Sequence, residues 1–150
     1  MILDERAEFC DATALNTGGA GSYLIGDVMD LSVARDVGNG QSLYMVIEVT
    51  TAVTSGGSAT VAFSICSDAA AAIAVDGSQS THVKTDAIGK ASLTAGHTIV
   101  LPLPPEGSKA YERYLGVVQT TATAALTAGA VNAYLSIDPK GWKAMPDATN

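Results

Sequence analysis

Charged side chains are scarce in this sequence. They make up 15% of its 150 residues, whereas soluble domains usually carry about 25%. Only 8 residues are Lys or Arg, and they form no run. Because wrapping a phosphate backbone needs clustered basic side chains, we expect no nucleic-acid partner. The net charge is −7, and the scatter of the acids along the chain is typical of a solvated surface.

Long apolar runs are also missing. No stretch approaches the roughly 18–20 apolar residues that span a bilayer, so we expect no membrane partner. The first residues, MILDERAEF, place acids where a secretory signal has a basic start and an apolar core, which predicts folding in a reducing cytosol. The two cysteines, Cys10 and Cys66, belong to no CxxC motif. We predict two free thiols with no disulfide between them.

Aromatic residues and catalytic motifs are few. Aromatics amount to 5% of the residues, with Trp142 the one tryptophan, which makes a sugar-binding platform weak. The nucleophile pattern G-x-S-x-G and the phosphate-binding glycine loops are absent, and His82 and His97 fall in different strand candidates. We therefore predict no catalytic site, metal, cofactor or small-molecule substrate. A site that the fold assembles from scattered carboxylates stays an alternative.

Apolar residues alternate with polar ones along most of the chain. The period of two is clearest over Leu43–Val53, Ala59–Ser67 and Val131–Asp138, which predicts half-buried β-strands. Less regular candidates are Ser22–Ile25, Asp27–Val37, Thr81–Ile88, His97–Leu103 and Arg113–Thr123. About eight short strands predict an all-β, single-domain protein over residues 1–150, either an antiparallel β-sandwich of two sheets or a jelly roll.

The segments between the strands have the composition of turns. TSGGSA at 54–59 predicts a short hairpin loop, GNG at 38–40 a tight turn, and PLPPEG at 102–107 the end of a strand. DAAAAIAV at 68–75 either forms one or two helical turns capped by Asp68 or stays irregular. The repeated LTAG, at 93–96 and 126–129, predicts two similar turns that each lead into a strand.

Arg35 shares the phase of apolar residues. From Met29 to Val37 the odd positions are Met29, Leu31, Val33, Arg35 and Val37. If the strand stays regular, the guanidinium of Arg35 points toward the core or a covered edge, and we predict that it is at least partly buried and paired with a carboxylate or with backbone carbonyls. The alternative is that the strand ends at Ala34 and Arg35 is a solvated turn residue.

Three blocks follow one another along the chain: MILD, then DLSVARDVGNGQSLYMVIEV, then LTAGHTIVLPLPPEGSKAYERYLGVVQTTATAALTAGAVNAYLSID. Their specific parts are A-R-D-(V/I)-G-x-G before an apolar strand, L-P-x-P-P before an R-Y-L strand, and a final L-T-A-G before a strand. In this order and spacing the chain resembles, from about residue 1 to about residue 138, the capsid cement (decoration) proteins of short-tailed double-stranded DNA bacteriophages.

The resemblance implies a jelly roll that forms a homotrimer on the outer surface of the icosahedral capsid, where it bridges neighbouring capsomers. Its partners would be other copies of itself and the major capsid protein, after folding in the host bacterial cytoplasm. Arg35 and Asp36 would form a structural pair beside the turn at 38–40, and Arg113 would open a core strand. The candidates for a partner interface include Arg35, Asp36, Tyr111 and Arg113.

The two ends of the chain are predicted to lie outside the compact domain. We expect an extended N-terminal arm over about residues 1–22, with Ile2, Leu3 and Phe9 as contacts that reach a partner, and a C-terminal tail over about 139–150. Alternatively, Ile2 and Leu3 pair along a sheet edge. Two other functions stay open at this point: a carbohydrate- or receptor-binding module of a phage appendage, and an enzyme.

Overall fold

The computed structural model describes residues 5–35, 37, 40–105 and 109–139. Within them the chain is all-β, as predicted, with nine strands and no α-helix. The strands are β1 (Glu8–Ala14), β2 (Gly21–Asp30), β3 (Leu43–Thr54), β4 (Thr60–Asp68), β5 (Ser80–Lys84), β6 (Ile88–Gly89), β7 (Thr98–Leu103), β8 (Tyr114–Ala122) and β9 (Ala128–Ser136). Two 3₁₀ turns, Glu5–Ala7 and Lys90–Ser92, complete the elements. No helix in this part of the chain has the length and apolarity needed to cross a membrane.

The strands form two antiparallel sheets packed face to face. The first sheet has the order β1-β9-β3-β7, and the second has the order β2-β8-β4-β5, with β6 beside the start of β4. If the short β6 is set aside, the first strand pairs with the last, the second with the last but one, and so on inward to β4 and β5. A chain doubled on itself and rolled up in this way is a jelly roll, as the sequence predicts.

The alternation predicted from the sequence sets the core. The side chains in the predicted inward phase of β3, β4 and β9 are buried between the sheets; they are Met45, Ile47, Val49, Val53, Val61, Phe63, Ile65, Val131, Ala133 and Leu135. Strand β4 departs most from simple alternation, because residues 61–67 are buried on both faces. Something other than the first sheet must therefore cover the outer face of β4.

That cover is the segment at 68–75, for which helical turns and irregular structure were both open, and the irregular alternative is confirmed. Residues 69–72 and 76–77 form bends, and Ile73 packs on the outer face of the second sheet against Cys66 and Val118. The Asp68 carboxylate caps the segment by accepting hydrogen bonds from the Ala70 and Ala74 backbone amides. Burial of one isoleucine against the sheet outweighs the helix propensity of the alanines, which tertiary packing routinely overrides.

The segment TSGGSA does not close a hairpin, so that prediction is wrong. It joins β3 in the first sheet to β4 in the second, and the two strands do not pair with each other. Glycine and serine permit a sharp reversal of the chain, but they do not specify which strand becomes the neighbour. Both LTAG segments do lead into strands, β7 and β9, which flank β3 on its two sides.

Proline acts at an edge of the first sheet, as expected. Pro102 lies inside β7, which ends one residue later at Leu103. In this sheet β7 pairs only with β3, and an edge strand tolerates a residue that lacks an N–H donor. The turn predicted at 38–40 falls on Gly38 and Asn39, which lie outside the described residues.

The predicted extended arm is wrong from Glu8 onward. Residues 8–14 form β1, which pairs with β9 in the first sheet, and Phe9 is only 1% exposed. Gly26 of β2 lets β1 close the side of the sandwich, because a Cβ at this position would collide with the Phe9 carbonyl. Residues 1–4 and 140–150, which include Ile2, Leu3 and most of the predicted tail, lie outside the described residues.

Candidate functional site

Arg35 is exposed, and the prediction that it is buried is wrong. Strand β2 ends at Asp30, five residues before Arg35, and Ser32 adopts a left-handed φ of 69° that breaks the extended backbone. The alternation therefore stops, and Val33, predicted to point inward, is 58% exposed. Asp36 lies outside the described residues, so its pairing with Arg35 stays a prediction.

An ion pair in the described part of the chain joins Arg113 to Asp30. Nε and Nη2 of Arg113 each donate to one carboxylate oxygen of Asp30 at 2.8 Å, and the guanidinium lies over the Tyr114 ring at 5.0 Å. Hydrogen bonds from Arg113 and from the Ser32 amide lower the pKa of Asp30 to about 2. The same pair raises the pKa of Arg113. Arg113 thus ties the start of β8 to the end of β2, and it is one predicted residue that does lie at the surface.

Tyr111 is buried rather than presented to a partner. It is 2% exposed, its hydroxyl donates to the Pro104 carbonyl at 2.7 Å, and its ring stacks on His82 with centroids 3.8 Å apart. These contacts pack the residues just before β8 against β5. We call residues 109–113 the corner. The interface role predicted for Tyr111 is therefore wrong for its side chain.

Beneath Tyr111 lies a serine–histidine contact that sequence reasoning missed. Ser67 Oγ and His82 Nε2 are 2.7 Å apart, a distance at which a base can activate a nucleophile. Ser67, however, is fully buried, and its Oγ already accepts the Glu112 backbone amide at 2.9 Å. A substrate has no access to this oxygen, so the contact joins β4, β5 and the corner. In the described part of the chain no three metal-ligating side chains come together.

The strongest surface feature is a loop end almost without charge. The strand order brings the segments 15–20, 55–59, 90–97 and 123–127 to one end of the sandwich. Their only ionisable side chains are Lys90 and His97; the rest are mostly Gly, Ala, Ser, Thr, Asn and Leu. We call these four segments the uncharged end.

Hydrogen bonds hold the segments of the uncharged end to one another. Ser55 Oγ donates to the Ala125 carbonyl, and the hydroxyls of Thr54 and Thr127 are 2.8 Å apart. The ammonium group of Lys90 donates to the Ser55 carbonyl, so the one fixed charge is directed into the fold. These bonds fix the relative positions of the segments and leave short side chains on the surface.

The opposite end of the sandwich carries the ionic side chains. The loops there follow β2, β4 and β7. Within the described residues of these loops and beside them, the charged side chains are Asp30, Arg35, Asp68, Asp76, Lys109, Glu112 and Arg113. The charged residues of each loop can be counted in the sequence, but only the strand order shows which loops lie at the same end of the sandwich. That is why sequence reasoning did not find the uncharged end.

A comparison with protein-family models matches residues 9–135 to the family Bbp16. The chain belongs to the Bbp16 family. The match extends from β1 to β9, so it covers the whole jelly roll, and the family's name indicates a phage-related protein. No curated protein matches the chain.

Proposed function

We propose that this protein is a structural component of a phage virion, a cement protein that binds the outer surface of the icosahedral capsid and stabilises it by bridging capsomers. The resemblance of the sequence blocks to cement proteins, the membership of the Bbp16 family and the jelly-roll fold support this function. It needs a binding surface and no chemistry.

The uncharged end is the observation that carries the proposal, and we assign it to the capsid side. Burying charges in an interface costs free energy unless each finds a partner, and the cores of interfaces are depleted of charged residues. Only Lys90 and His97 are ionisable at this end. Small side chains also lose little rotamer entropy when a contact orders them. The charged end would then face solvent.

Self-association adds to the binding of each copy. We propose a homotrimer, on the basis of the resemblance, because three linked copies bind several equivalent places at once and gain roughly 10²–10⁴ in avidity. Binding to the assembled shell but not to free subunits stabilises the shell by mass action. Light scattering on the purified chain tests the trimer. A strict monomer at about tens of micromolar, where typical interfaces are populated, would contradict it.

The capsid function is tested with particles that lack this protein. Heated beside complete particles, they should release DNA at a lower temperature, and adding the purified chain should restore the higher temperature. If both kinds of particle release DNA at the same temperature, the cement function is wrong.

A matched pair of variants tests the assignment of the uncharged end. Ala125 and Ala71 are both exposed, at the uncharged and the charged end respectively, and Ala125→Glu and Ala71→Glu change the net charge equally. We expect Ala71→Glu to restore the particles and Ala125→Glu to fail, although both variants fold. If both restore equally well, another surface faces the capsid while the cement function stands.

A further inference from the structure

His82 occupies an irregular position in β5. Along the pairing of β4 with β5, Ile65 lies opposite Val83, but the next residue, Cys66, lies opposite Thr81. His82 is therefore the extra residue of a β-bulge. Such bulges re-aim a side chain, and here the imidazole of His82 reaches Ser67 of β4, whose Oγ is 2.7 Å from Nε2.

The re-aimed imidazole holds the corner that precedes β8. Tyr111 stacks on it with an interplanar angle of 15°, and Ser67 Oγ, which contacts His82, accepts the Glu112 amide at 2.9 Å. The Glu112 carboxylate in turn accepts a 2.8 Å hydrogen bond from Ser80 Oγ. Residues 111–112 are thus attached to β4 and β5 through one small cluster of side chains.

The hydrogen bonds of this cluster are complete when Nε2 of the imidazole carries no proton. Ser67 Oγ then accepts the Glu112 amide and donates its single proton to His82 Nε2, 2.7 Å away. Protonated His82 carries a hydrogen on both nitrogens, so Nε2 no longer accepts and the buried Ser67 hydroxyl loses this acceptor. Within the described residues, the hydrogen-bond partners of Ser67 Oγ are His82 and Glu112.

We propose that Ser67, His82 and Tyr111 form a pH-sensitive latch, and that protonation of His82 releases residues 111–112 from β4 and β5. The latch is a device within the fold and does not depend on capsid binding. It opens locally, while the paired strands β4 and β8 stay in place.

The surroundings of His82 favour the neutral form at neutral pH. Burial lowers the pKa of His82, the charge of Glu112 raises it to a smaller extent, and Lys109 lowers it. Within the described residues, the titratable groups of the corner that face His82 are Lys109, Tyr111 and Glu112. When the corner is released, His82 lies in water with a pKa near 6.5; in the closed latch its pKa is lower. The closed latch therefore loses stability as pH falls below about 6.5. The loss ends at the lower pKa, where His82 is protonated in the closed form as well.

Amide exchange and ring titration of the full chain test the latch by NMR. Corrected for the intrinsic rate, exchange of the Glu112 amide should accelerate between pH 7.5 and 5, by up to about tenfold for each pH unit between the two pKa values of His82. The His82 ring should titrate below 6.5 in the same samples. Exchange of the Val117 amide, in the middle of β8, should stay constant.

Two glutamine variants separate the histidines, of which the chain has 2. His82→Gln should remove the acid step at Glu112, and His97→Gln, at the far end of the sandwich, should keep it. The latch is wrong if the corrected exchange rate of the Glu112 amide does not change with pH while His82 titrates. It is also wrong if the acid-induced acceleration persists in His82→Gln, or if exchange of the Val117 amide accelerates equally. If His82→Gln does not fold, the test uses His97→Gln. In that variant the latch is also wrong if the pH midpoint of Glu112 amide exchange differs from the midpoint of the His82 ring titration.

Discussion

Arg113 holds Asp30 across the ends of β8 and β2 through two parallel hydrogen bonds of 2.8 Å. Because the pair lowers the pKa of Asp30 to about 2, its contribution to stability is full above the ordinary aspartate value of about 3.9. It is lost as pH falls toward 2.

We expect Asp30→Asn to lower the melting temperature slightly at pH 7, because exposed ion pairs contribute little, and to make no difference once Asp30 is protonated in the parent. Thermal melts at pH 7 and near pH 1, roughly one pH unit below the pKa of Asp30, measure this. A double-mutant cycle with Arg113→Gln isolates the pair, and zero coupling at pH 7 would show that Asp30 acts only through Ser32.

Ile73 covers Gly116 on the outer face of the second sheet. A Cβ on Gly116 would lie 2.7 Å from Ile73 Cδ1, so the isoleucine fills the space that the glycine leaves. We expect Ile73→Ala to lower the free energy of unfolding by about 2–5 kcal/mol, since it removes a buried aliphatic side chain. Val75→Ala, in the same segment but partly exposed, is the control. Equal small effects in urea denaturation would mean that the segment does not cover the sheet.

Phe9 belongs to the core and not to a reaching arm. It is buried with Ile25 and Val131 in the main cluster, so Phe9→Ala should cost about 3–5 kcal/mol of unfolding free energy. Phe9→Leu, which keeps most of the volume, should cost clearly less. Denaturant melts of the purified variants decide the point. A Phe9→Ala variant as stable as the parent would return Phe9 to the list of surface contacts.

Both thiols are free in the structure, as predicted, and both are buried. Burial raises the pKa of Cys10 to about 11, so this thiol is protonated at neutral pH, and the reactive species is the thiolate. We expect iodoacetamide at pH 8 to label neither cysteine in the folded chain and both after denaturation without reductant. Intact mass reads the result. A denatured chain that takes up no label would reveal a disulfide.

The sequence predicts the fold well because a two-residue period has one physical cause, a face buried between sheets. It predicts strand partners poorly. β1 was missed because residues 1–22 were interpreted as an extended arm, whereas Phe9 and Cys10 alone carry the inward face of this strand. The partner of a strand depends on contacts more than 100 residues away, such as that of Ala12 with Asn132.

The candidate site was less predictable still. The phase that put Arg35 inside ended at Asp30, because Ser32 takes a left-handed φ that alternation does not reveal. The contact of Ser67 with His82 depends on a bulge, and a bulge shifts the register without a clear mark in the sequence. The lack of charge in residues 123–127 is plain to read, but its meaning requires the strand order.

Density for the intact virion at side-chain resolution tests the capsid function most directly. We predict this jelly roll on the outer surface of the shell, in contact with more than one capsomer, with the segments 55–59 and 123–127 of the uncharged end toward the major capsid protein. If the chain is absent from the shell, or occupies only a tail appendage, the capsid function is wrong.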